Sequence, residues 1–218
     1  MTIRNATIGE RAPKLHISEW PQGPETSIAK LRGNVLVVEV IQVNCPGCFL
    51  YGLPQAIGIH NKFKDKGVTV LGLATAFEDY EQNTLANLKL LLKKGEVIGE
   101  TLKRLTFHQN LLRGKKAAID GTAYGMGKYQ LLTDGNKLGY KIPFPVAMDD
   151  IKETKVRSKL PEGGYIYTTY HDEGKTFSRY MLQGTPSTIL IDKKGILRDK
   201  SIGMNDELET NILRLLSE

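Results

Sequence analysis

Apolar residues divide the N-terminal part of the chain into strand-like runs separated by a helical stretch. Residues 35 to 43, VLVVEVIQV, are almost continuously apolar and β-branched, which is typical of a strand covered on both faces in a largely parallel sheet. From Pro46 the pattern becomes helical and ends at Gly67, and a second strand, VTVLGLA, follows at 68 to 74. Together these elements predict a βαβ unit.

The middle of the chain is less regular. A helical candidate rich in Leu and Lys runs over 84 to 108, and Gly95 and Gly99 are positioned to divide it. Residues 109 to 141 are rich in Gly and Lys and weakly periodic, so we expect an insertion of loops there. FPVAMD, at 144 to 149, predicts another strand.

The C-terminal third begins with a polar stretch and ends with regular patterns. The stretch 150 to 164 is polar, YIYTTY at 165 to 170 alternates as a short strand does, and a short helix is expected near 173 to 182. We expect the tyrosines of the alternating segment to pack rather than bind: Tyr165, Tyr167 and Tyr170.

A hairpin and a helix are expected to close the chain. STILID, 187 to 192, and ILRDKSI, 196 to 202, flank a turn that contains Gly195, a pattern typical of a β-hairpin. Asn205, followed by two acidic residues, is expected to cap a final amphipathic helix.

Composition narrows the class of protein without naming a function. The 218 residues are 40% hydrophobic and 25% charged, and no apolar run approaches the roughly 20 residues of a membrane helix. We expect one domain over residues 1 to 218, with an insertion over roughly 76 to 141 and no membrane span. The net charge of +6 permits an acidic partner, but the lysines are scattered, so we expect no nucleic-acid partner.

The N-terminal residues bear on localisation. MTIRNATIGERAPKLHISEW contains no apolar core of a secretory signal, which favours a cytoplasmic protein. A chain from which an export signal had been removed would look the same, so the periplasm remains the alternative.

The only two cysteines carry the candidate chemistry. Cys45 and Cys48 follow the first buried strand directly, at a strand-to-helix junction where unpaired N–H groups and the helix dipole lower the pKa of a thiol. Cys45 is therefore the expected nucleophile, and Cys48, nearly one turn later on the same face, the more buried resolving thiol. Pro46 suits the first helical turn because its missing N–H would have had no partner there.

The cysteine pair has two other possible roles, as metal ligands or as inert core residues. A metal site would need more ligands than two cysteines. The four histidines are His16, His60, His108 and His171, and their positions show no ligand spacing, so we expect no metal. Two inert core cysteines remain an alternative, although the junction favours redox function.

Glu39 interrupts a strand that is otherwise suited to burial. A buried carboxylate is costly unless its pKa shifts or it finds a partner. Glu39 lies six residues before Cys45, so we expect it beneath the cysteine turn, where it could exchange protons with the resolving thiol. The alternative is a glutamate paired with a nearby lysine at a strand end.

Four segments together resemble a known family: LRGNVLVVEVIQVNCPGC, GVTVLGLAT, IPFPVAMDD and QGTPSTILIDKKGILRDKSIG. They are similar to the thioredoxin-like superfamily, closest to thiol-disulfide oxidoreductases of the TlpA and ResA type. The likeness covers roughly residues 6 to 75 and 140 to 217. It implies an α/β thioredoxin-like fold, a central mixed sheet flanked by helices with an insertion before the FPVAMD strand.

The resemblance also implies roles for particular residues. Pro186 corresponds to a cis-proline that lies against the active-site disulfide, and Thr185 to the residue whose backbone binds an extended substrate. Glu39 falls where thioredoxin has its buried acid. The alternative for Thr185 and Pro186 is an ordinary trans turn entering a strand.

The active-site loop departs from the family pattern. Asn44 stands where a tryptophan usually precedes the first cysteine, and Pro54 comes one residue later than the usual helix-kinking proline. Between the cysteines, Pro46 and Gly47 reverse the Gly-Pro order of thioredoxin.

Three functions follow, and we expect the first. A dithiol oxidoreductase would reduce protein disulfides, with Cys45 attacking and Cys48 resolving, and would need a thiol electron donor but no bound cofactor. A peroxiredoxin-like peroxidase would use Cys45 against peroxide, but Gln42 occupies the position of its usual Thr or Ser. A non-enzymatic redox-sensing or interaction module would bind partners through residues 76 to 141.

Overall fold

The computed structural model describes residues 5–112, 119–120 and 128–218. Its strands are β1 Ile17–Gln22, β2 Val35–Ile41, β3 Val68–Ala74, β4 Ile119–Asp120, β5 Lys128–Tyr129, β6 Leu132–Thr133, β7 Lys137–Leu138, β8 Val146–Asp149, β9 Glu153–Lys159, β10 Tyr165–His171, β11 Ser187–Ile191 and β12 Leu197–Ile202. Its α-helices are α1 Leu53–Phe63, α2 Leu85–Lys94, α3 Gly99–Leu112, α4 Lys175–Arg179 and α5 Leu208–Ser217. A π-helical turn, Cys48–Gly52, leads into α1.

A six-stranded mixed sheet forms the centre, in the order β1-β8-β3-β2-β11-β12. The inner strands β8, β3 and β2 are parallel, whereas β1, β11 and β12 join their neighbours in antiparallel register. This architecture confirms the expected α/β fold. The βαβ unit is β2-α1-β3, and the hairpin predicted around Gly195 is β11-β12.

Both faces of the sheet are covered, which explains why β2 has almost no polar positions. Alternate residues of β2 enter two separate cores: Val35, Val37 and Ile41 on one face, Leu36, Val38 and Val40 on the other. The first core also contains the cysteines and apolar residues of α1, α2, α3 and α5, and the second contains residues of α4 and the N-terminal segment. By alternation, Glu39 points toward the first core, the side that carries the cysteine turn.

The long helical candidate is divided as expected. Helix α2 ends at Lys94, and Gly95 follows with a φ of 72°, a left-handed conformation that ends helices at little cost for glycine. Helix α3 then begins at Gly99. The segment between β3 and β8 holds both helices and four two-residue strands, and within it residues 113–118 and 121–127 lie outside the described part of the chain. That this segment is an insertion into a single domain stays a prediction.

The structure corrects the sequence-based interpretation of residues 150 to 171. The polar stretch contains strand β9, which pairs antiparallel with β10 in a separate two-stranded sheet. The tyrosines that were expected to pack are exposed, so that prediction was wrong: Tyr165 51%, Tyr167 65% and Tyr170 58%. Alternation correctly indicated a strand, but nothing among the described residues covers either face of this ribbon.

Two further differences concern the ends of the chain. Strand β1, which pairs antiparallel with β8, was not predicted; its register shifts twice and it contains Pro21. At α5 the N-cap position belongs to Glu207, whose side chain makes no capping hydrogen bond. Asn205 Oδ1 instead accepts a hydrogen bond from the Glu207 N–H, at 3.0 Å. Among the described residues, no helix combines the length and apolar character needed to cross a bilayer.

Candidate functional site

The chemistry-bearing residues meet at one edge of the sheet because of its topology. The chain leaves β2 at the carboxyl ends of the parallel strands, and it enters β11 at the same edge, where Ser187 pairs with Val40. The residues that follow β2 and those that precede β11 therefore converge. Cys45 Sγ lies 3.4 Å from the carbonyl oxygen of Thr185.

Cys45 and Cys48 are joined as a disulfide, with Cα atoms 5.4 Å apart. Cys45 is 8% exposed and Cys48 is fully buried, so of the two residues only Cys45 reaches the surface. The Cys48 N–H donates a hydrogen bond to Cys45 Sγ, at 3.2 Å. In the reduced form, such a donor at the start of a helix would favour the thiolate of Cys45.

Pro186 packs against the cysteine turn. Its peptide bond with Thr185 is cis. A Cβ added to Gly47 would lie 3.4 Å from Pro186 Cδ, an ordinary contact. A Cβ added to Gly52 would lie only 2.5 Å from Pro186 Cβ and would collide with Glu39 Oε1. Position 52 therefore requires glycine, since Glu39 and Pro186 leave no room for a side chain.

Glu39 is buried, at 2% exposure, beneath this turn. Its Oε2 accepts a hydrogen bond from the Thr188 hydroxyl at 3.0 Å on the neighbouring strand, whereas Oε1 has no partner among the described atoms. Burial raises the pKa of Glu39 to about 8, and the Thr188 hydrogen bond offsets only part of that effect. No described lysine forms an ion pair with Glu39, so the alternative of a strand-end ion pair finds no support.

The π-helical turn accounts for the late position of Pro54. The Leu53 N–H donates to the carbonyl of Cys48, five residues earlier, so the turn holds one residue more than an α-helical turn. The next bond of this kind would run from the N–H of residue 54 to the carbonyl of Phe49, but Pro54 has no N–H to donate. Tyr140 supplies the missing donor, because its hydroxyl lies 2.6 Å from the Phe49 oxygen. Burial raises the pKa of Tyr140 well above its ordinary value, which keeps the hydroxyl protonated.

Asn44 joins the cysteine turn to the segment after β3. Its backbone N–H donates to Asn83 Oδ1 at 2.8 Å, and its side-chain amide donates to Asp79 Oδ2 at 2.8 Å. Its Oδ1 accepts from the Glu100 N–H at 2.7 Å and so caps the start of α3. Gly99 has a φ of 55°, and a Cβ there would collide with Asn44 Oδ1. The polar Asn44 thus serves as a structural link rather than an exposed surface residue.

Gln42 is buried, and both ends of its amide are occupied. Its Nε2 donates to the Glu78 carbonyl at 3.2 Å, and its Oε1 accepts from the Thr185 hydroxyl at 3.1 Å. The second bond ties the residue beside the cis-proline to the end of β2. Within the described chain, no hydrogen bond or ion pair joins an arginine to Gln42, Cys45 or Thr185.

Most residues singled out from the sequence lie together at this edge: Glu39, Asn44, Cys45, Pro46, Gly47, Cys48, Thr185 and Pro186. Sequence reasoning missed the residues that support them: Gly52, Asp79, Gly99, Tyr140 and Thr188. The sequence signal nearest to this support was the late position of Pro54, which the π-helical turn beside Tyr140 explains. The described residues contain no group of three or more His, Cys, Asp or Glu that could hold a metal.

Solved structures resemble the chain over nearly its whole length. One, a thioredoxin-like superfamily protein, is 28% identical with a TM-score of 0.59, and the match covers 96% of this chain and 98% of that one. A second, a thiol-disulfide isomerase from Corynebacterium glutamicum, is 30% identical with a TM-score of 0.58, and the match covers 98% of both chains. The chain belongs to the thioredoxin-like superfamily. This confirms the family and fold that the four sequence segments implied.

More distant members of the thioredoxin-like superfamily support the fold alone. A thioredoxin-like protein solved in its oxidized form is 14% identical, with a TM-score of 0.51 over 100% of this chain and 98% of that one. No protein-family model matches the sequence, and no match was found among curated proteins. For this superfamily member, the paired cysteines at the strand-to-helix junction therefore bear most directly on function.

Proposed function

We propose that this superfamily member is a thiol-disulfide oxidoreductase that reduces disulfides in proteins. The observation that carries the proposal is the juxtaposition of the Cys45–Cys48 pair with the cis peptide bond between Thr185 and Pro186. The carbonyl of Thr185 lies 3.4 Å from Cys45 Sγ, so a substrate strand bound along this backbone would bring its own disulfide to that sulfur.

The reaction transfers two electrons from the dithiol to the substrate. The Cys45 thiolate attacks one sulfur of the substrate disulfide; a Cys45–substrate bond forms, the substrate S–S bond breaks, and the released thiolate takes a proton. The Cys48 thiolate then attacks Cys45 Sγ, which forms the Cys45–Cys48 bond and releases the second substrate thiol. A thiol donor must afterwards reduce the pair, and no bound cofactor takes part.

Glu39 is the proposed proton acceptor for the resolving thiol. Its pKa of about 8 is close to the ordinary thiol value of about 8.5, so proton transfer between the two groups would be nearly balanced in free energy. The free Oε1 lies against Gly52, in the same turn as Cys48, which leaves this oxygen available for a proton.

The surroundings of Cys45 favour disulfide exchange over peroxide reduction. A fast peroxidase needs donors aimed at the peroxide oxygens. The Gln42 amide, the nearest candidate in sequence, already donates to Glu78 and accepts from Thr185. These two bonds fix the orientation of the amide, which leaves only its second N–H uncommitted, and no arginine among the described residues is bonded to Gln42, Cys45 or Thr185 to supply a further donor.

Stopped-flow oxidation of the reduced protein tests the proposal. We expect rapid oxidation by a protein disulfide, and oxidation by hydrogen peroxide no faster than that of an ordinary low-pKa thiol. The Cys45→Ser variant is the matched control and should be inert to both oxidants. Peroxide reactivity orders of magnitude above that of a free thiol would overturn the proposal in favour of a peroxidase.

A further inference from the structure

The β9-β10 hairpin is a two-stranded ribbon that the main sheet does not extend. All seven pairs from Tyr165–Lys159 to His171–Glu153 are in regular antiparallel register, and almost every residue of both strands is exposed. An isolated two-stranded ribbon is only marginally stable in water without a covered face. At about 3.3 Å per residue it is roughly 20 Å long.

Charge is confined to one face of this ribbon. By register and alternation, the three cations of β9 lie on one face: Lys155, Arg157 and Lys159. Their cross-strand neighbours on β10, on the same face, are Thr169, Tyr167 and Tyr165 in that order. The other face consists of uncharged residues: Thr154, Val156, Ser158, Ile166, Thr168 and Tyr170. A ribbon that needed only solubility would have no reason to place all its charges on one side.

The cationic face is arranged for an anionic partner. The central carbon of the Arg157 guanidinium lies 3.4 Å from the centre of the Tyr165 ring, a cation–π contact that holds this charge on the tyrosine-bearing face of the ribbon. The one carboxylate on this face, Glu153, lies at the base of the ribbon and pairs with Lys155 at 3.1 Å. Among the described residues, Arg157 and Lys159 show no ion pair, so their charges are open to a partner.

The base of the ribbon is linked to the dithiol through three residues. The hairpin follows β8, so it leaves the sheet at the same edge as the cysteine turn. His171, the last residue of β10, stacks on Tyr80 with ring centres 4.6 Å apart. The neighbouring Asp79 binds the Asn44 side chain, and Asn44 precedes Cys45. An extended chain held on the ribbon could therefore continue to the cysteine turn.

We propose that the cationic face of the β9-β10 hairpin binds an acidic, extended segment of the disulfide-containing substrate protein. This inference rests on the proposed function, because the ribbon would deliver substrate to the Cys45–Cys48 pair. Its charges act mainly on the rate of encounter, so they select substrates whose disulfides are flanked by Asp and Glu.

Two disulfide-bonded peptides that differ only in a flanking segment, Glu-rich in one and Gln-rich in the other, test the inference with the full chain. At low ionic strength we expect the reduced protein to reduce the acidic peptide roughly tenfold faster. The preference should vanish at about 0.5 M salt, where charges are screened beyond a few ångströms. A double variant, Arg157→Gln with Lys159→Gln, should lose the preference.

The matched control is Lys30→Gln with Lys93→Gln, which changes the net charge equally at exposed lysines away from the ribbon and should keep the preference. Bis(2-hydroxyethyl) disulfide, a small uncharged substrate, should react equally with all three proteins, which also shows that each variant is folded. Failure of the wild-type protein to reduce this small disulfide would refute the proposed function, and the inference with it.

Three results would overturn the inference while leaving the proposed function intact. The first is equal rates for the two peptides with the wild-type protein, and the second is an unchanged preference in the ribbon variant. The third is a different occupant of the ribbon. A wild-type dimer that the ribbon variant converts to monomer would indicate a second copy of the chain, and tighter binding of a single-stranded oligonucleotide of equal charge would indicate nucleic acid.

Discussion

The hydroxyl of Tyr140 donates a 2.6 Å hydrogen bond to the carbonyl of Phe49, the group that Pro54 leaves without a helical N–H partner. The bond joins the loop before β8 to the turn directly after the cysteine pair. An unpaired buried carbonyl is costly, so the π-helical turn depends on this side chain from far along the chain.

Tyr140→Phe should therefore destabilise the protein by about 1–3 kcal/mol, because it removes the hydroxyl that donates to that carbonyl while keeping the ring. Urea denaturation measures the change in the free energy of unfolding. Tyr51→Phe, at an exposed tyrosine of the same turn, is the control and should be nearly neutral. Equal stability of the two variants would mean that the Phe49 carbonyl is satisfied in another way.

Asn44→Asp should raise the pKa of the Cys45 thiol in the reduced protein. The substitution would remove the amide N–H that now donates to Asp79 and would place a second carboxylate beside that residue. The added negative charge would also lie next to the Cys45 thiolate and disfavour it. The pH dependence of thiolate absorbance reports the pKa, and the rate of alkylation reports reactivity. Asn211→Asp on α5 adds the same charge far along the chain and should change neither value. An unchanged Cys45 pKa in Asn44→Asp would mean that the residue at position 44 does not influence the Cys45 thiolate.

Glu39→Gln should slow the resolving step by at least about tenfold, because glutamine cannot accept the Cys48 proton. It should also flatten the pH dependence of that step near pH 8, where Glu39 titrates. Rapid-mixing measurements of mixed-disulfide decay between about pH 6 and 9 separate this step from the first attack. Decay rates identical to those of the wild type throughout would leave Glu39 with a structural role only.

The same carboxyl should make the stability of the protein depend on pH. The pKa of Glu39 is about 8 in the folded protein against an ordinary value of 4.5, so the folded state binds the extra proton between these limits. The stabilising contribution is complete below about pH 4.5 and is lost as the pH rises through about 8. Relative to Glu39→Gln, the wild-type free energy of unfolding should fall by up to about 5 kcal/mol over that window. A constant difference between the two proteins would contradict the raised pKa.

Thr185→Lys should impair protein substrates more than small ones. The residue borders Cys45 and the cis-proline, so a bulky charged side chain would obstruct an extended chain but leave room for a small disulfide. We expect kcat/KM for a protein disulfide to fall by at least about tenfold, or about 1.4 kcal/mol, with little change for bis(2-hydroxyethyl) disulfide. Equal losses for both substrates would point instead to a damaged cysteine turn. Thr185→Ser, which keeps the hydroxyl that binds Gln42, is the conservative control.

Local patterns were sufficient to predict the central strands and the reactive pair. Strand β2 is covered on both faces and is therefore apolar at every position except Glu39, and the β11-β12 turn contains a glycine at a φ of 81°. The cysteines lie at the end of β2, so their position at a junction could be inferred from neighbouring residues alone.

The support around the cysteines could not be predicted because it depends on distant contacts. Asn44 binds partners 35 and 56 residues away, and the donor for the Phe49 carbonyl lies 91 residues away. The prediction that the hairpin tyrosines pack was wrong for another reason. The period of its tyrosines indicates a strand equally well whether or not a core covers one face, so the sequence could not reveal that Tyr167 would be exposed.

The central claim is that Cys45 attacks the substrate disulfide and Cys48 resolves the product. Its most direct test is to mix Cys48→Ser with a disulfide-bonded protein and to locate any mixed disulfide by peptide mapping and mass spectrometry. We expect a stable mixed disulfide at Cys45 in this variant, and none in Cys45→Ser treated identically. Trapping at Cys48 in Cys45→Ser, with no adduct in Cys48→Ser, would contradict it.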